Sequence, residues 1–121
     1  MFSISIDEKY VRVVHSGTVC FNERRAALTG AIWINHQQVE NLKPYIVDLR
    51  RCAIPHEPPS TSAGFSKDLS YYSPGAPIAY LVDILNGPNF FVVQQLSRCG
   101  VKAKNFANEA LAHIWFDHAI K

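Results

Sequence analysis

The 121 residues contain only three cysteines, Cys20, Cys52 and Cys99, far apart in the chain and with no C-x-x-C pair among them. An odd, scattered set of thiols fits neither a disulfide framework nor a zinc ribbon, and reduced cysteines are expected. No stretch approaches the roughly 18 consecutive apolar residues of a membrane helix, and MFSISIDEKY lacks both the basic n-region and the long apolar core of a signal peptide. The expectation is a soluble, cytoplasmic protein without membrane insertion. Neither sign of charge dominates: twelve Lys and Arg stand against ten Asp and Glu, and the small excess is shared by both halves of the chain. That balance provides no basic face for nucleic acid. Internal repeats and low-complexity tracts are also missing.

What the chain does have is a packable composition, 48% hydrophobic and 18% charged, at a length that predicts one domain over residues 1–121. Phe2, Ile4 and Ile6 alternate with polar residues, and Tyr10 to His15 resumes the β-branched pattern after the polar Asp7-Glu8-Lys9, which predicts an antiparallel hairpin. From Asn22 the period becomes helical, with Leu28, Ala31, Ile32 and Val39 on one face and Glu23, Arg24, Gln37 and Gln38 largely elsewhere. Asn22 is the expected N-cap. Tyr45 to Leu49 reads as a strand covered on both faces. Ser60-Thr61-Ser62 supply cap chemistry for a second helix running to about Tyr72, and Ser73-Pro74-Gly75 close it. Residues 77–84 form another apolar strand. A third helix follows from Pro88 or Asn89 and stops at Gly100. Residues 101–104 read as a lysine-protected edge strand, and the last helix spans Asn105 to about Asp117 with Phe106, Ala110, Leu111, Ile114 and Trp115 as its apolar positions. The order β-β-α-β-α-β-α-β-α predicts an α/β fold with a mixed, mainly parallel sheet.

Four pieces of this text carry a resemblance. They are Gly17-Thr18-Val19 after the hairpin, Ile46-Val47-Asp48-Leu49-Arg50, Ile78-Ala79-Tyr80-Leu81-Val82, and a closing run in which Phe106 precedes Ala112 by six residues and Trp115-Phe116 follow. In order and spacing they resemble the SpoIIAA-like family, small bacterial domains related to STAS and Sec14 proteins. The resemblance implies a β-α superhelix of four helices and four or five strands that works by binding, in a group whose members mostly lack an assigned activity. Anti-anti-sigma members carry a phosphorylatable Ser in an Asp-Ser-Ser/Thr-Gly-like segment. Here Ser60-Thr61-Ser62-Ala63-Gly64 lacks the acidic residue and lies farther beyond Asp48, which speaks against a sigma-factor switch. Cys20 also stands where the family usually has a capping hydroxyl or carboxylate.

Ligands of open α/β sheets gather beyond the carboxyl ends of the strands. That edge is expected to collect His15, Ser16 and Gly17, then Asp48, Arg50 and Arg51, then Asp83 and Asn86, with the helix start near Ser60 turned the same way. We take Gly17, Asp48, Arg50, Arg51, Ser60 and Asp83 as the candidate site for a partner protein or a small polar or phosphorylated ligand. The plainer alternative has the two aspartates capping loops and the arginines solvated. Cys52 and His56 have a spacing that a metal site would need on a helix, but Pro55 and Pro58 forbid that helix, and no metal or cofactor is expected. A small enzyme using Cys52, its thiol acidified by Arg50 and Arg51, or Asp48 is the rival reading. The aromatic pairs Tyr71-Tyr72 and Phe90-Phe91, with Trp33, place more apolar surface on the helices than one sheet requires. A homodimer contact or a cavity for a lipid or other apolar ligand is the expected use.

Overall fold

The alternating residues at the start of the chain form the expected hairpin: β1 (Phe2–Ile6) pairs antiparallel with β2 (Val11–Thr18), opposing Phe2 to His15 and Ile6 to Val11. Asp7 closes the turn by accepting hydrogen bonds from the amides of Lys9 and Tyr10 at 2.9 and 2.7 Å. The remaining elements are α1 (Phe21–His36), β3 (Tyr45–Ala53), α2 (Pro59–Tyr72), β4 (Ile78–Leu81), α3 (Asn89–Arg98), β5 (Ala103–Phe106) and α4 (Glu109–Ala119). This computed structural model describes residues 1–37, 42–55, 57–72, 74–85 and 87–119, the side chains of Pro59, Ser62, Ser70, Tyr72 and Ala119 excepted. Gln38, Val39, His56, Ser73 and Asn86 lie outside the described residues, as do the side chains of Ser62 and Tyr72.

The sheet runs β1-β2-β3-β4-β5, with every pair after the first parallel. Parallel strands laid down in chain order by crossovers of one hand place all the crossover helices on one face. Accordingly α1, α2 and α3 pack on the face that carries Val11, Val13, Tyr45, Val47, Ile78 and Tyr80. The opposite face, with Ile46, Ala79, Leu81 and Phe106, is left to α4, which contributes Ala112 and Phe116. The full burial of Tyr45 to Leu49 follows from this double cover.

Five local expectations are corrected. The N-cap of α1 is Cys20, not Asn22, and its side chain makes no cap bond. Glu57 replaces it from the loop before α2, its Oε2 accepting the Phe21 amide at 2.9 Å. Arg24 does not lie off the apolar face. It falls in the buried row with Phe21, Leu28, Ala31 and Asn35, at the spacing of three and four that marks one helical face. β4 is shorter than residues 77–84 and stops at Leu81, beyond which Val82 donates to the Phe106 carbonyl and Asp83 to Leu85 are exposed. β5 begins at Ala103, two residues later than expected. Gly100, at φ +86°, ends α3 in a Schellman turn in which the amides of Gly100 and Val101 donate to the carbonyls of Ser97 and Leu96. Val101 is therefore the apolar residue of a helix stop, and Gly100 sits where a left-handed backbone is needed.

The last correction concerns α4. Asn105 and Phe106 belong to β5, and the helix starts four residues later than expected, capped by Asn108, whose Oδ1 accepts the Ala110 amide at 2.7 Å. Its sheet-facing row is Glu109, Ala112, His113 and Phe116. Glu109 takes a bidentate pair from Arg12 of β2 at 2.9 Å for both bonds, and the His113 ring stacks on Tyr10 with centroids 4.8 Å apart. These anchors rotate Leu111 and Ile114 away from the sheet, where they are 54% and 55% exposed.

Candidate functional site

The parallel strands show no reversal of order, so the sheet has no switch-point crevice. Its carboxyl-end edge is shaped instead by an irregularity in the β2–β3 pairing. Val14 opposes Asp48 but Ser16 opposes Arg51, so β3 has one extra residue and its alternation slips. Before the slip, Leu49 faces the three-helix core and Asp48 the opposite side. After it, Cys52 and Ile54 pack on the three-helix core. Gly17, opposite Cys52, has φ +74°, a backbone that suits a residue without Cβ.

The candidate residues are thereby divided. Asp48 and Arg50 engage each other: the Arg50 amide and Nε donate to Asp48 Oδ1 at 3.0 Å each, and Nη2 donates to Oδ2 at 2.9 Å. Burial works to raise the Asp48 carboxyl, but these Arg50 contacts outweigh it and hold its pKa below the ordinary value. Arg51 is exposed at the strand end. Ser60 is exposed in the first turn of α2. Asp83, also exposed, joins Leu49, Cys52, Ile54, Val82 and Asn89 around a cleft of about 140 Å³ at the ends of β3 and β4.

Behind two of those lining residues stands a side chain expected off the apolar face of α1. Arg24 is 2% exposed. Its Nη2 donates to Asn89 Oδ1 at 2.6 Å, and its guanidinium carbon lies 5.0, 5.3 and 5.5 Å from the ring centroids of Phe21, Phe65 and Tyr80. Rings on several sides stabilise a desolvated cation through their negative faces. Among the described residues no carboxylate reaches it at ion-pair distance, although Glu57 acts on it from farther away. Burial raises the pKa of the Tyr80 hydroxyl and the adjacent guanidinium pulls it back; among the described residues neither this hydroxyl nor Arg24 Nη1 reaches full hydrogen-bond geometry. Asn89 itself is 2% exposed and donates through Nδ2 to Asn105 Oδ1 at 2.7 Å, so a polar chain runs from α1 through α3 to β5. The sequence signal for this cluster was the position of Arg24 four residues before Leu28. Asn89, 65 residues away, had none.

Two titratable groups flank this cluster. His15, 1% exposed, is driven down to about 4 by burial and then by the charge of Arg24. Its Nδ1 lies 3.9 Å from Glu23 Oε2 and has no hydrogen-bond partner among the described residues. Cys52 does not have the acidified thiol expected from its sequence neighbours. Burial raises its pKa, the opposing pull comes from Arg24, and its Sγ donates to the Leu49 carbonyl at 3.3 Å. A thiol held protonated is a weak nucleophile. Among the described residues no group of three or more His, Cys, Asp and Glu side chains is arranged to hold a metal ion.

No protein-family model matches the sequence, and no curated protein is similar to it in sequence. Among solved structures, the chain is similar in fold to the anti-sigma factor antagonist SpoIIAA in its unphosphorylated form. The two share 13% sequence identity over 94% of this chain and 97% of that one, with a TM-score of 0.51. The fold is therefore SpoIIAA-like.

Proposed function

We propose that this SpoIIAA-like chain, as a single module of residues 1–121, is a non-enzymatic binding protein that recognises a partner protein or small ligand at the carboxyl-end edge of its sheet. The observation that carries this reading is the buried Arg24 guanidinium, held by Asn89 behind a cleft lined by Asn89 and Cys52, with no carboxylate at ion-pair distance among the described residues. Such a cation favours an anionic group in the cleft, a carboxylate or phosphate, whether borne by a protein or by a small molecule. Of the residues taken from sequence, Gly17, Arg51 and Asp83 remain the proposed contacts around this cleft, and Ser60 a proposed outer one. Asp48 and Arg50 are proposed to act as a pair that braces the β3 end. The SpoIIAA-like fold supports the partner-binding reading, since SpoIIAA is an anti-sigma factor antagonist. Three cysteines outside any disulfide suit a reducing, cytoplasmic setting. The exposed Trp33, Tyr71, Phe90 and Phe91 support a homodimer of such modules.

Two measurements test this. Titration of the 15N-labelled protein with inorganic phosphate is expected to shift the Cys52 and Asn89 amides and the Arg24 side-chain signal together. Shifts spread over the surface without these three would remove the cleft from the reading. Iodoacetamide at neutral pH is expected to alkylate the exposed Cys20 and Cys99 faster than Cys52. The reverse order would favour the enzyme that uses Cys52.

A further inference from the structure

On the sheet face that α4 covers, that helix and the edge strand β5 enclose a groove of about 460 Å³, lined by residues other than those of the cleft and adjoining it through the Asn89–Asn105 bond. Its floor is apolar. The tilted rings of Phe106 and Trp115 pack with centroids 5.5 Å apart, and Leu85, Leu111 and Ile114 stand around them at 48%, 54% and 55% exposure. The sequence reading had assigned Leu111 and Ile114 to the core, and the Arg12–Glu109 and Tyr10–His113 anchors turn them outward instead. A second concavity continues along β5 past Lys104, Trp115 and His118 to Lys102. Among the described residues, neither is lined by a carboxylate. Lys104 has its Nζ 5.6 Å from the Phe106 ring, and no acidic side chain pairs with it among the described residues.

β5 also has an open side. In its pairing with β4 the carbonyls of Lys102 and Phe106 accept from the amides of Ile78 and Val82. In a parallel ladder the residues between, Ala103 and Asn105, turn their backbone groups the other way, toward the free edge. An apolar floor, a basic wall and free main-chain groups together define the occupant. We propose that this groove is a docking site for an acidic, apolar peptide segment of a partner protein. A second copy of this chain fits poorly, because pairing one β5 with another brings Lys102 and Lys104 against their own kind. A lipid surface fits poorly as well, because the apolar residues line a concavity between a helix and a strand.

The test uses a dye-labelled ten-residue peptide of alternating Glu and Leu, a matching Lys and Leu peptide, and phosphatidylserine vesicles. Fluorescence polarisation is expected to show saturable binding of the Glu and Leu peptide below about 1 mM. The exposed substitutions Ile114→Glu and Lys104→Glu are each expected to weaken it about tenfold. Leu111→Ser, a milder change, is expected to weaken it about threefold, and circular dichroism confirms that each variant folds. Lys104→Glu is further expected to gain affinity for the Lys and Leu peptide. The proposal is overturned by no saturable binding to that limit, or by affinity that the folded variants leave unchanged. Vesicle binding lost with the same substitutions, or a native dimer mass that Ile114→Glu converts to monomer, would assign the groove to lipid or to self-association and overturn it equally.

Discussion

His15 shows how one buried side chain ties stability to pH. Its folded-state pKa of about 4 lies below the ordinary 6.5, so between these values the unfolded chain binds a proton that the folded chain refuses. Stability from this residue is complete above pH 6.5 and falls as the pH drops toward 4, with about 3 kcal/mol lost across the window. Urea midpoints at a series of pH values should follow that slope, and His15→Leu should flatten it. Asp48 and Glu109 act at still lower pH. Both carboxyls are held below their ordinary values, and their stabilisation is lost as the pH falls through those lowered values. Asn89 is the other residue whose single change is informative. Asn89→Ala removes the acceptor of Arg24 Nη2 and the donor to Asn105 at once. The expected loss is about 3 kcal/mol in urea unfolding, because a buried charged donor is then left without a partner.

At the scale of the element, termini and turns decide more than helix interiors. Cys20 occupies the N-cap of α1 in an extended conformation without a cap bond, while Glu57 satisfies the Phe21 amide from 36 residues away. Glu57→Ala should cost about 1 kcal/mol, and Cys20→Ser should add a few tenths to about 1 kcal/mol by capping an amide further into the turn. Thermal midpoints of the two variants should move in opposite directions. Gly100 and Gly64 make a second contrast. A Cβ at either meets nothing within 4 Å, but only Gly100 has a positive φ, +86°. Gly100→Ala should therefore destabilise by about 1 kcal/mol through backbone strain alone. Gly64→Ala, inside α2, should stabilise by about 0.5–1 kcal/mol. The element order was legible in the sequence because periods of two and of three to four are local. The start of β5 was not, because Val101 in a Schellman turn and Val101 in a strand give the same alternation with Ala103.

For the molecule as a whole, the sheet's two faces are unequal. Three helices share one core and α4 alone covers the other, through Ala112 and Phe116 against Ile46, Ala79, Leu81 and Phe106. Phe116→Ala should cost about 3–4 kcal/mol, the usual loss for a buried aromatic ring. Hydrogen exchange should then show α4 amides opening while those of β3 keep the protection of the remaining core. If β3 and α4 amides exchange at one common rate in the variant, the two faces form a single cooperative unit. The closing run Phe106, Ala112, Trp115 and Phe116, from which the family resemblance was partly read, is this second core together with the floor of the groove. Its spacing is set by the distance from the end of β5 to the helix row that meets the sheet.

By itself the sequence determined the element order, the mixed sheet and the double burial of Tyr45 to Leu49, since alternation and helical period act within a few residues. It also placed Asp48 and Arg50 close enough to pair. Only the tertiary structure decided that Arg24 is an internal cation, that Glu57 caps α1, and that Asn89 joins three elements, because each depends on groups 16 to 65 residues apart being brought together. The rotation of α4 belongs to the same class. Its sequence offers several apolar positions, and the anchors on Arg12 and Tyr10 of the β2 region select which of them meet the sheet and which remain outside to form the groove.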